Sequence, residues 1–196
     1  MAKLGFGMLV IMQNEWTKSA ADIQRFREMA IGLGHTPPPP LIATNVSCAQ
    51  SREEARERAL TYLGRKWDTI DNHYKFSDGH LGTIKGYESY GAMTKTYKNL
   101  KDEVARKKAN EFYVKIQIVG APDDRIQQID ELRKLTGMDH LISEFGYGGM
   151  PAHEAELNMR VFADHVVPVI QRDRAFVTVA PIKQEFETQG DVYVPV

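Results

Sequence analysis

Glu144, Tyr147 and three neighbouring glycines are the residues whose types and spacing point most directly to chemistry. They belong to Ser143-Glu-Phe-Gly-Tyr-Gly-Gly-Met150, which overlaps the end of the apolar run His140-Leu-Ile-Ser-Glu-Phe145. A carboxylate at the end of a buried strand, in a partly dry pocket, can act as acid or base. It can also do no more than satisfy backbone donors or an arginine. Gly146, Gly148 and Gly149 would let backbone approach a phosphate at the start of a helix from Ala152. The order is not G-x-G-x-x-G and no Lys-Ser/Thr follows, so a plain tight turn is the better reading. His80, near Lys85 and Tyr87, either faces a substrate or is a solvated loop histidine. His73, His140, His153 and His165 show no paired metal spacing, and His153-Glu154 lacks the second histidine of H-E-x-x-H, so no metal is expected. Cys48 ends an apolar run with no histidine partner that spacing can name, and reads as an inert buried thiol.

The elements that must position these residues follow from periodicity. Phe6–Met12 is almost wholly apolar and predicts a strand covered on both faces. Ser19 is expected to cap a helix reaching Leu33, with Gly34 stopping it. Four prolines at 37–40 form a stiff lead into a strand at Leu41–Cys48. Ser51, followed by Glu53 and Glu54, opens a long charged helix to about Trp67. Between Asp68 and Tyr90 no period is sustained, which predicts an insertion loop or lid; the Trp67–Tyr74 aromatics read as packing. Two short helices follow at 87–98 and 102–110, then an alternating segment at 114–119 that is an exposed-edge strand or merely extended. Pro122 suits a first helical position, and Ile126, Ile129, Leu132 and Leu135 keep one apolar stripe up to Gly137. His140–Phe145 predicts a buried strand, and a further helix runs from Ala152. The tail after Arg172 alternates weakly and is expected to wrap over a neighbouring surface or a second subunit. Helix–strand–helix alternation is the working unit of parallel α/β proteins, whose chemistry sits beyond the carboxyl ends of the strands.

Composition bounds the function. The 196 residues carry a formal net charge of −1 with no block of one sign, which argues against nucleic acid or an anionic membrane as partner. One cysteine excludes an internal disulfide framework. No apolar run reaches the roughly 20 residues of a membrane span, and the opening apolar run lacks a signal-peptide cleavage site. A cytoplasmic protein is expected. Three strands, 6–12, 41–48 and 140–145, are too few to close an eight-stranded barrel. The expectation is therefore a small open sheet or the back part of a larger molecule, and a start on a buried strand favours the second.

The same residues carry a family resemblance. Gly120-Ala-Pro-Asp-Asp124, the segment Asp139–Pro151 and Ala155–Ile170 resemble the closing strand and helix of bacterial luciferase-like flavin monooxygenases, a TIM-barrel family. Lys3-Leu-Gly-Phe-Gly-Met-Leu-Val-Ile-Met12 is similar to its sixth strand. Leu41–Cys48 followed by Ser51-Arg-Glu-Glu-Ala55 is similar to the seventh, and His73–Met93 to the insertion before the eighth. The resemblance implies a partial TIM barrel, the last three βα units plus an insertion, over residues 1–172, with 68–112 as insertion or lid and 173–196 as a tail. It implies a monooxygenase using reduced FMN from a separate flavin reductase, with O2 as co-substrate, on an aldehyde, ketone or similar organic substrate. The first five strands, which supply most of the family's flavin-phosphate contacts, have no counterpart here. The chain is thus expected to be inactive without an N-terminal half, or to assemble as a homo-oligomer. By the resemblance Ile11, Met12 and Gln13 line the flavin ring, where apolar, polarizable groups exclude water; a core methionine followed by an ordinary loop glutamine is the equal alternative. Tyr147 joins them as a cofactor contact, with Glu144 and His80 as catalytic candidates. A non-catalytic flavin-binding module and a deazaflavin-dependent oxidoreductase remain the alternatives.

Overall fold

Parallel pairing around one central strand organises the computed structural model of the protein, which describes residues 1–172. The elements are β1 (Leu9–Ile11), α1 (Trp16–Gly32), β2 (Leu41–Cys48) and α2 (Arg52–Tyr74). Next come α3 (Gly91–Asn99), α4 (Glu103–Lys115), β3 (Ile118–Gly120), α5 (Pro122–Thr136), β4 (His140–Glu144), α6 (Ala152–His165) and α7 (Val167–Ile170). β1 and β4 both pair in parallel with the first half of β2, and so flank it on opposite edges. β3 pairs in parallel only with the last residues of β2, Val46 to Cys48.

Local chemistry sets most boundaries. Ser51 Oγ accepts the Glu54 N–H at 3.1 Å and starts α2, and Asp102 Oδ1 accepts the Ala105 N–H at 2.8 Å and starts α4. Pro122 opens α5, and Gly137, in the left-handed region at φ 67°, closes it. Register fixes the two faces of the sheet. Val10, Ile42 and Leu141 share one row and pack into the main core with Met12, Val46, Ile118, Ile129 and Phe162. The alternate residues Leu9, Ile11 and Ile142 lie on the other face and are 55%, 59% and 44% exposed. A second cluster joins α2 and α4 through Leu63, Tyr113 and Ile116.

Several sequence expectations are corrected. β1 spans three residues, not 6–12, and its alternate side chains are exposed. Beyond Ile11 the Met12 N–H still reaches the Ala43 carbonyl, but the Met12 carbonyl is then taken by the Gln117 side chain at 3.0 Å. β4 is likewise partly buried on one face and exposed on the other. Ser19 does not cap α1; its N–H bonds the Glu15 carbonyl inside a helix that begins a turn earlier, where the Trp16 indole donates to the Ile116 carbonyl at 2.8 Å. α2 continues past Trp67 to Tyr74, because Trp67 packs on Tyr113 and Tyr97 at ring separations of 5.0 and 6.0 Å. Distant aromatic partners sustain a helix that local periodicity does not. Three short 3-10 turns, at 76–78, 80–83 and 88–90, follow it. α4 extends to Lys115, leaving β3 as a short, largely buried strand instead of an exposed edge. The tail expected to wrap a neighbour lies outside the described residues.

Candidate functional site

Where β4 ends alongside the middle of β2, four polar side chains meet. β2 and β4 place Asn45 and Glu144 in register, and Asn45 Nδ2 donates to Glu144 Oε2 at 2.5 Å. Lys66, from α2, donates to the same oxygen at 2.8 Å and to Asn45 Oδ1 at 3.3 Å. The Tyr113 hydroxyl, from α4, lies 3.4 Å from Asn45 Oδ1. Burial first, and the Glu144 charge second, push the Tyr113 phenol up to about 12. At neutral pH it is therefore a neutral donor. Glu144 itself is half exposed at the end of its strand. A carboxylate able to accept a proton and an ammonium able to hold a developing oxyanion thus sit on the rim of the sheet.

The frame behind this cluster is fully satisfied. Gln117 Oε1 accepts from the Asn45 N–H and from Thr44 Oγ1, both at 2.9 Å, while its amide nitrogen donates to the Met12 carbonyl. One side chain thereby ties β1 to β2 where β1 runs out. Asn158, wholly buried on α6, accepts from the Cys48 N–H at 2.7 Å and donates to the Val46 and Phe145 carbonyls at 2.7 and 3.0 Å. It pins α6 to the ends of both strands that carry the cluster.

The six residues singled out from the sequence fall in different surroundings. Glu144 is in the cluster. Ile11 and Gln13 line a shallow groove of about 400 Å³ along β1 and α1. Ile11 shares the open sheet face with Ile142, one row before Glu144. Met12 points the other way, sealed in the main core. Tyr147 is buried in the second core, and its hydroxyl donates to the Val46 carbonyl at 3.2 Å. Burial pushes its phenol upward, against the Ser47 hydrogen bond and the Arg58 charge. His80 is exposed in the insertion, where its carbonyl accepts from Thr83 Oγ1 at 2.7 Å, and no bond joins it to the Glu144 cluster. Gly148 adopts φ 59°, and a Cβ there would overlap the Tyr62 carbonyl oxygen; the glycine permits the approach of α2, not of a phosphate. Among the described residues no three His, Cys, Asp or Glu side chains gather as a metal site.

Asn45, Lys66, Tyr113, Gln117 and Asn158 were not legible as functional residues. Asn45 alone gave a signal, a polar side chain inside the apolar run of β2. Lys66 is one cation among many on a charged helix.

The sequence profile of luciferase-like monooxygenases matches residues 1–140. The chain belongs to the luciferase-like monooxygenase family. Monooxygenase RslO1 from Streptomyces bottropensis shares its fold at 20% identity and TM-score 0.52, over 86% of this chain and 43% of that one. The oxygenating constituent of 3,6-diketocamphane monooxygenase from Pseudomonas putida, a type II Baeyer–Villiger enzyme in complex with FMN, gives 20% identity and TM-score 0.53 over 85% and 44%. Riboflavin lyase RcaE, with modified FMN and riboflavin, gives 14% and 0.53 over 87% and 40%. No curated protein sequence matches the chain. This luciferase-like chain thus spans less than half the length of those structures. No described helix is long and apolar enough to cross a membrane.

Proposed function

We propose that this chain is the C-terminal half of a flavin-dependent monooxygenase barrel and contributes one rim of a flavin site. The observation that carries the reading is the uncovered sheet face. Leu9 and Ile11 on β1 and Ile142 on β4 lie on one face to either side of β2, about half exposed, below the Glu144–Lys66–Asn45 cluster. In a closed barrel the same face is interior, and covering those side chains contributes ~1 kcal/mol each. On this reading β1, β2 and β4 are a three-strand arc, residues 68–112 an insertion over its rim, and an N-terminal half supplies the remaining strands.

The residues present fit part of FMN. The apolar face with Ile11 and Gln13 offers a ring surface and one amide that donates or accepts. The glycine turn at 146–149 offers no phosphate cradle, since α2 occupies it at Gly148. Bound FMN, reduced by a separate reductase, would supply electrons to O2 for oxidation of an aldehyde, ketone or similar substrate. Glu144 would accept a proton at Oε1, while Lys66 and Asn45 hold Oε2 and orient the carboxylate. Met12 and Tyr147, both buried, hold the frame and leave ring contact to Ile11 and Gln13. His80 would meet substrate only from the insertion.

The test is reduced-FMN-dependent uptake of oxygen into an aldehyde or ketone, read as oxygenated product, by this chain alone and after addition of the polypeptide encoded immediately upstream. Uptake only from the mixture, lost in Glu144→Ala, supports the reading; full uptake by the chain alone refutes it. Glu144 is already engaged by Lys66 and Asn45, which favours a second reading, a non-catalytic flavin-binding module. That reading requires saturable FMN binding by the isolated chain with no uptake in any mixture. Activity with a deazaflavin and none with FMN would replace both.

A further inference from the structure

We propose that a groove between α2, α4 and α5, sharing no residue with the Glu144 cluster, binds the phosphoryl group of a phosphate monoester through Arg125, Arg52, Arg56 and Lys115. Arg125 has no exposed surface and lines this groove of about 490 Å³. Its Nη1 donates to the Ser47 carbonyl at 3.3 Å, while Nε and Nη2 are buried without an acceptor among the described residues. Two unpaired donors on a buried cation are costly, and natural structures rarely leave them without an occupant. Burial drives the guanidinium down to about 10, against the pull of Asp124, so it stays charged at neutral pH.

The rest of the groove matches an anion. Arg52, Arg56 and Lys115 add three cations to Arg125, against the carboxylates of Asp124 and Glu131. Asp124 is already taken by Arg52 at 2.6 Å and by the Ala121 N–H at 3.1 Å. Among the described residues Arg56 and Lys115 hold only long, exposed pairs, to Glu111 at 4.0 Å and Glu15 at 3.6 Å. Both can turn to a bound anion without stranding a buried partner. Gly120, φ 143°, lies against the Arg125 guanidinium where any Cβ would collide with it, so the backbone leaves the fork its space. Arg52 is largely exposed although Asp124 is not, and access of a ligand to Nε and Nη2 requires Arg52 to swing off Asp124. A fork with two free donors suits a tetrahedral dianion, and the volume is of the order that holds an organic group beside it.

The test is thermal unfolding of the full chain in phosphate, AMP or adenosine, against chloride at matched ionic strength. The expected result is a saturable rise in Tm with phosphate and AMP and none with adenosine. A lower half-saturating concentration for AMP identifies the monoester as the ligand; equal values identify free phosphate, and either supports the site. Arg125→Met should weaken binding at least about tenfold, the loss of one charged hydrogen bond. If Arg125→Met does not fold, the double variant Arg56→Gln, Lys115→Gln decides in its place. No phosphate-specific rise in the parent chain, or an undiminished rise in the variant that folds, overturns the proposal.

Discussion

Replacing Asn158 by alanine tests whether the rim is held by the hydrogen bonds seen in the structure. Asn158 is wholly buried and makes three bonds, from the Cys48 N–H and to the Val46 and Phe145 carbonyls, at 2.7, 2.7 and 3.0 Å. Each such bond contributes ~1 kcal/mol net, and each buried group left without a partner costs ~1–3 kcal/mol. The Val46 carbonyl keeps the Tyr147 hydroxyl at 3.2 Å, so the strict losses fall on the Cys48 N–H and the Phe145 carbonyl. Adding a small cavity, the expected cost is about 3–5 kcal/mol. Urea unfolding followed by far-UV circular dichroism reads this directly. With a slope of ~1–3 kcal/mol/M, the midpoint should fall by about 2 M at unchanged slope. Asn158→Asp keeps an acceptor for the Cys48 N–H but turns a second oxygen toward two carbonyls, and should be no more stable than the alanine variant. A loss below about 1 kcal/mol in Asn158→Ala would refute the view that this amide locks α6 to both strands.

Three further outcomes are expected. Gly148→Ala should destabilise by more than ~3 kcal/mol because its methyl meets the Tyr62 carbonyl, whereas Gly149→Ala, φ 72° with open space around it, should cost only ~1–2 kcal/mol; paired chemical denaturation compares them. Burial raises the Cys48 thiol from 9.0 to about 11 against the Arg125 and Arg58 charges, and raises Tyr113 from 10.0 to about 12. Stability from the neutral thiol is complete below pH 9 and lost as pH rises toward 11; the Tyr113 contribution is lost between pH 10 and 12. Unfolding free energy measured from pH 8 to 11 should fall, and Cys48→Ala should flatten the decline above pH 9. Lys66→Met should change stability by less than ~1 kcal/mol, since Glu144 is half exposed, yet abolish the Lys66 contacts to Glu144 and Asn45; an altered Glu144 carboxyl resonance in NMR without a shift in midpoint is the expected pair of readings.

The sequence by itself determined the local units of the chain. β2 was legible at full length because eight largely apolar residues are bracketed by prolines and by the Ser51 cap. α5 was legible because Pro122 and Gly137 bound a single apolar stripe. The order of these units carried the luciferase-like resemblance, and the family profile bears it out. Only the tertiary structure decided which side chains meet. Asn45 and Glu144 stand 99 positions apart and Lys66 joins them from a third element, contacts set by strand register and helix placement rather than by neighbouring residues. It also decided burial. The apolar runs of β1 and β4 suggested cover on both faces, but period-2 geometry sends Val10 and Leu141 into the core and turns Leu9, Ile11 and Ile142 outward. Composition alone cannot assign an apolar side chain to one face or the other; the register with β2 does.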